Sequence, residues 1–171
     1  ADSASHGIIG YADFSTRPMA RIGELVEVVP GMIATQHSGP GKANQYFLRG
    51  VNLDHGSDFS ARFDSMPINM RTHAHASGYL DLNFMIPEII ETVEYRKGPY
   101  YADTGDFSAV GAAAFKTYDD LEQNFLQLEA GSENDYRIVG GYSHTFTKSA
   151  LLVASEVSLR DGPWELEQNL R

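Results

Sequence analysis

Three segments near the end of the chain leave few choices of fold. Asn124 to Ala130, Tyr136 to Phe146 and Ala150 to Leu159 alternate with a period of two, the period of a β-strand. The connections between them, SEND at 132–135 and TKS at 147–149, are short enough for hairpins. On the third segment Leu151, Val153, Val157 and Leu159 share one face, and Leu152, Ala154, Glu156, Ser158 and Arg160 share the other. On the second, Ile138, Gly140, Tyr142, His144 and Phe146 fall together. Strands of about 10 residues with one apolar and one polar face are the signature of a transmembrane barrel. An ordinary antiparallel sheet in a soluble protein has the same period, so alternation alone leaves both readings open. Three strands are too few to close, since membrane barrels need at least about 8. Their open edges are expected to pair with another chain or with the rest of this one.

Composition removes several functional classes. The net charge is −10, and it is spread evenly: residues 1–119 carry 9 basic and 14 acidic side chains, residues 120–171 carry 4 and 9. A nucleic-acid surface needs a basic face, and none is available. The chain has no cysteine, which excludes disulfides and thiolate metal sites. No apolar run approaches the roughly 20 residues of a membrane helix. The start, ADSASHG, lacks the basic and apolar regions of a signal peptide, and the chain is expected to be cut at both ends.

The rest of the chain alternates short elements with long loops. His6 to Tyr11 is a short apolar stretch bounded by glycines. Pro18 is suited to the first turn of a helix, and Ile22, Leu25, Val26 and Val29 recur at helical spacing. Pro30-Gly31 ends that helix, and Met32 to Thr35 restarts as extended chain. Gln45 to Gly50 and Phe59 to Ile68 read as strands, Ile86-Pro87 opens a short helix through Ile90, and Thr92 to Arg96 is a further strand stopped by Gly98-Pro99. The segment GAAAFKT at 111–117 closes this zone. Loops at 36–44, 52–58 and 69–83 are rich in Gly, His, Asn and Asp, and long ordered loops in a compact domain are usually functional.

Five of these motifs, in this order, resemble the plug of TonB-dependent outer-membrane receptors. ELVEVVPGM at 24–32 resembles its first helix, YFLRGVN at 46–52 the strand ending in Arg-Gly, and FDSMPI at 63–68 the Asp-Gly-x-Pro strand. IPEIIETVEYRKGP at 86–99 resembles the helix and strand that end in Arg-Gly-Pro, and GAAAFKT the strand leading to the barrel. There are departures: Ser65 stands where the family has glycine, Lys97 where it has arginine, and YYADTGDFSAV at 100–110 is unlike the usual short Tyr-Gly sequence.

The resemblance implies an α+β plug domain with a small mixed β-sheet and short helices over residues 1–119. It implies the first antiparallel β-hairpin strands of a truncated outer-membrane barrel over 120–171. It further implies import of a scarce nutrient, such as a siderophore or metal chelate, across the outer membrane of a Gram-negative bacterium. A TonB-type coupling protein would engage through a box upstream of this sequence. No enzymatic activity and no resident cofactor are expected. The three long loops become apical ligand loops, with His37, Lys42, Asn44, His55, Asp58, Arg71, His73, His75 and Tyr79 as candidate ligand contacts. They hold four of the six histidines, and His73 and His75 at i and i+2 are the candidate metal ligands. Arg49, Arg96 and Lys97 are candidates for a latch to acids on the barrel's inner wall.

Other chemistries fare worse. Gly39 and Gly41 precede Lys42, but Ala43 and a strand follow it, so this is not a phosphate loop. DHGSD at 54–58 is the best fragment of a metallohydrolase, using Asp54, Asp58 or Asp64, and it lacks the remaining ligand spacings. The alternative kept open is a soluble periplasmic or adhesin-like α+β binding module.

Overall fold

The computed structural model describes residues 5–19, 21–36 and 42–161, together with the backbone of 169–170. It divides into two units, with the boundary between Thr117 and Tyr118. No helix among the described residues is long and apolar enough to cross a membrane.

In the first unit, β1 (His6–Gly10) runs into a single helical turn, α1 (Tyr11–Phe14). A 3₁₀ helix spans Ile22–Val28. Then follow β2 (Met32–Thr35), β3 (Gln45–Leu48), β4 (Val51–Asn52), β5 (Phe59–Phe63) and β6 (Met66–Pro67). A short 3₁₀ turn at Pro87–Ile89 leads into β7 (Ile90–Lys97), another at Ala102–Thr104 follows it, and β8 (Gly111–Thr117) ends the unit. The main sheet has the order β1-β7-β8-β5-β6, antiparallel except for the parallel pair β5 and β8. A smaller antiparallel sheet has the order β2-β3-β4.

The core lies between the 3₁₀ helix, the two sheets and the 79–85 segment. Leu25, Val26 and Val29 pack there with Tyr46, Leu48, Leu53, Phe59, Leu80, Leu82, Ile90, Val93 and Phe115, all buried. Each large apolar side chain fully removed from water contributes about 1.5–3 kcal/mol before entropy is counted.

Two elements differ from the sequence expectation. The helix begins at Ile22 rather than Pro18 and is 3₁₀. Its apolar residues recur at three-residue steps (Ile22 to Leu25, Val26 to Val29), and three residues make one 3₁₀ turn, so the spacing fits both helix types. Gly23 explains the close docking of this helix, because a Cβ there would come within 2.1 Å of the Asn44 amide oxygen. The second difference is Phe59 to Ile68, which is a hairpin rather than one strand. Asp64 and Ser65 take left-handed φ of 45° and 72° and turn the chain between β5 and β6. The Asp64 carboxylate also accepts the Thr117 amide and the Thr117 hydroxyl, each at 2.8 Å. It thereby fastens the last residue of β8 to the turn.

In the second unit β9 (Phe125–Ala130), β10 (Tyr136–Thr145) and β11 (Ala150–Arg160) form antiparallel hairpins, and β12 (Asn169–Leu170) extends the sheet beside β11. The register aligns Leu128, Ile138 and Val157 in one row and Tyr142 with Val153 in another. These side chains, with Leu126, Leu151 and Leu159, stand on one exposed face; Leu126 is 74% exposed and Leu128 70%. On the opposite face, residues 120–124 are fastened to Ser143 of β10. Ser143 Oγ accepts the Leu121 amide at 2.8 Å and donates to Asp120 at 2.6 Å, and the Ser143 amide donates to Asn124 at 2.8 Å. On that face Arg137 pairs with Glu129 at 2.8 Å and with Glu156 at 2.7 Å, the Glu156 side chain being only 4% exposed. The apolar side chains stand on one face and these ion pairs on the other.

Candidate functional site

The histidine-bearing loops of the first unit are held by a few polar side chains that satisfy buried backbone. Asn69 accepts the Ala61 amide at 2.7 Å and donates to the carbonyls of Phe59 and Gly78, both at 3.0 Å. Met70 and Tyr79 then bridge as one antiparallel pair, which closes the 69–79 loop at its base. Gly78 sits in that base with φ +84°, and a side chain there would meet the Phe107 ring. Farther on, Asn83 and Asp81 form a local turn in which Asn83 also donates to the Lys42 carbonyl at 3.1 Å. Asn69 and Asn83 were not legible as site residues. Asparagine beside a loop signals a turn, and their long-range partners appear only in the fold.

Four rings meet under this loop. His73 stacks on Tyr79 with centroids 3.8 Å apart, and His75 lies 5.2 Å from His73 and 5.1 Å from His55. His55 is 5.4 Å from Tyr79. His55 is buried, with Nδ1 donating to the carbonyls of Ala43 at 2.9 Å and Asn44 at 3.2 Å. Both partners are carbonyl acceptors, so Nδ1 carries a proton. Its Nε2 lies 3.7 Å from Asp54. Tyr79 is 5% exposed, and its hydroxyl accepts the Ala43 amide at 2.7 Å.

Three of the four loop histidines are thus brought together, while His37 lies outside the described residues. His75 and Arg71 are exposed, and His73 and Lys42 are half-buried. Asn44, His55 and Tyr79 are buried beneath them and act as supports for the loop. Asp58 is exposed, takes no part in the ring cluster, and accepts the Val110 amide through its carbonyl at 3.0 Å. Among the described residues no group of three or more His, Asp or Glu is placed to hold a metal ion. His73 Nδ1 already accepts the His75 amide at 3.2 Å, and the His73 and His75 rings are within 16° of parallel. Imidazoles ligate through in-plane lone pairs, so nearly parallel stacked rings do not converge on one ion. In this arrangement His73 and His75, the expected metal ligands, stand as part of a ring stack on Tyr79.

Residues 3–112 match the family model of the TonB-dependent receptor plug domain. The chain belongs to that family. The plug fold is also that of solved receptors. The siderophore receptor PirA from Acinetobacter baumannii is 20% identical over 91% of this chain and 24% of its own, with a TM-score of 0.65. FpvA of P. aeruginosa, bound to a heterologous ferric pyoverdine, is 19% identical over 92% of this chain and 20% of its own, at 0.68. The copper transporter OprC is 16% identical over 91% and 24%, at 0.69. The chain spans about a quarter of the length of these receptors.

Within this plug the three candidate latch residues have different surroundings. Arg96 is engaged internally, donating to Asp103 at 2.8 and 3.0 Å and to Glu94 at 3.1 Å. That hydrogen bonding holds the Asp103 carboxyl below its usual range. Lys97 is buried, its ammonium donating to the Pro30 carbonyl, and burial followed by repulsion from Arg49 lowers its pKa. Arg49 is exposed at the turn after β3 and forms no ion pair with any described residue.

The electrostatics of the ring cluster give a test. Desolvation, then His55, His73 and Lys42, hold His75 below the ordinary imidazole value of 6.5, and Asp54 alone opposes them. A lowered value means that the folded loop prefers neutral His75. No penalty exists well above pH 6.5, and the loop loses stability as pH falls below it. An NMR titration is expected to place the His75 midpoint below 6.5, lower still in Asp54→Asn and higher in Lys42→Met. A wild-type midpoint at or above 6.5 would contradict this electrostatic picture.

Proposed function

We propose that this chain is the plug and the opening barrel strands of an outer-membrane receptor that imports a metal chelate, such as a ferric siderophore, under coupling to a TonB-type protein. The observation that supports this most is the outward apolar face of β9, β10 and β11, which follows a plug domain in the sequence. A soluble module would bury that face. β10 has ten residues, so at about 3.3 Å each and a barrel-like tilt near 40° it covers about 25 Å, the height of the apolar band of such barrels. The ion pairs of Arg137 belong to the lumen side in this reading.

In this reading the cargo contacts the exposed edge of the ring cluster. His73, His75, Arg71 and Lys42 offer hydrogen bonds and positive charge to the anionic groups of a chelate. The solved receptors of siderophores and of copper share this plug fold and are consistent with a metal-bearing cargo. Arg49 is the remaining candidate for the latch to a barrel acid, since Arg96 is engaged within the plug and Lys97 is buried against the Pro30 carbonyl.

In cells carrying the full-length receptor, changing His73 and His75 together to Ala is expected to slow uptake of a ferric siderophore about tenfold, at unchanged receptor level. Undiminished uptake, with transport of a glycan or vitamin instead, would overturn the metal-chelate reading and leave the receptor reading standing. Arg49→Ala is expected to raise leakage of small antibiotics without ligand. Unchanged antibiotic sensitivity would rule out the latch.

A further inference from the structure

Tyr79 stands where three separate segments of the plug meet. Its hydroxyl accepts the amide of Ala43, in the segment that leads into β3. Its ring carries His73 from the long loop at 3.8 Å and touches His55, from the turn before β5, at 5.4 Å. Its backbone closes the long loop, with the Met70 amide donating to the Tyr79 carbonyl at 2.8 Å and the Gly78 amide to the Met70 carbonyl at 2.7 Å. The next residue continues the same junction. The Leu80 amide donates to the His55 carbonyl at 2.7 Å, and the buried Tyr46 hydroxyl donates to the Leu80 carbonyl at 3.2 Å.

These bonds make the segments interdependent. The Ala43 amide is buried, so losing the Tyr79 hydroxyl strands a donor that no water can reach unless the segment moves. Moving Ala43 pulls on His55, whose ring is bonded to the Ala43 and Asn44 carbonyls. Moving His55 breaks the bond that its carbonyl receives from Leu80. A side chain at Gly56 would come within 2.4 Å of the Leu80 Cβ, so the turn and the loop base are in close contact as well. Separate opening of any one segment therefore leaves broken bonds in the other two.

We infer that Tyr79 is the pin through which segments 42–46, 53–57 and 69–80 open and close as one body. A contact made at the exposed His73 or His75 edge is then felt at the start of β3 and at the turn before β5. The inference concerns coupling within the plug and is independent of which cargo is carried.

Amide hydrogen exchange of the full chain tests this. In Tyr79→Phe, which keeps the ring and removes only the hydroxyl, the amides of Ala43, Tyr46, Met70, Gly78 and Leu80 are expected to exchange about tenfold faster. They should rise by a common factor, because amides that exchange through one opening share one opening equilibrium. The amides of Val93 and Phe115 in β7 and β8 should be unaffected. His73→Ala leaves every one of these backbone bonds in place and removes the stacked ring, and it should accelerate the same set. An increase confined to Ala43 would overturn the inference, as would an equal increase in β7 and β8 or no change in either variant.

Discussion

The parallel pairing of β5 with β8 is the constraint from which the rest of the plug unit follows. Phe59 to Phe63 lie beside Gly111 to Phe115 in register, and parallel neighbours cannot be joined by a hairpin. The chain between them must travel out and back, and on the way it supplies β6, the long loop, β7 and the 100–110 segment. The two ends of the pair carry different tasks. Before Phe59 lies the turn with His55 and the ring cluster, and after Phe63 lies the Asp64 turn that fastens Thr117.

The ring cluster illustrates how packing decides among chemistries that a sequence leaves open. Two histidines at i and i+2 in a loop suit a metal site, a hydrogen-bonding edge or a stack. Tyr79 selects the stack, because its buried hydroxyl and ring are already committed and His73 lies flat against it. Desolvation and its neighbours favour neutral His75, and Asp54 is the one nearby charge that favours protonating it.

Much of the fold was legible in the sequence where one physical signal dominated. Period-two alternation located β9, β10 and β11 to within about two residues, and Pro and Gly marked most boundaries in the plug. The signal failed where two structures share it. Three-residue spacing suits both helix types, and the FDSMPI segment hides a turn because Asp64 and Ser65 accept left-handed φ without glycine. At the candidate site the sequence marked, through their histidines, the loops whose rings the fold brings together. Their supports were not legible, since Asn69, Asn83 and the Ala43 amide act through partners 8 to 41 residues away. The sequence groups Arg96 with Arg49 and Lys97 as latch candidates, and only the fold reveals that its Nη1 donates to both Asp103 carboxylate oxygens.

In the proposed reading the second unit is the part of the chain that meets lipid. Large apolar side chains stand exposed along one of its faces, and the Arg137 ion pairs of the same strands lie on the other. Spin labels placed one at a time from residue 126 to 128 and from 151 to 154, in the full-length receptor in bilayers, measure which side meets lipid. The account predicts accessibility to oxygen that alternates with a period of two. Maxima should fall at Leu126, Leu128, Leu151 and Val153, with the opposite phase for a water-soluble quencher. Water-soluble quenching at those four positions, or no alternation at all, would contradict it.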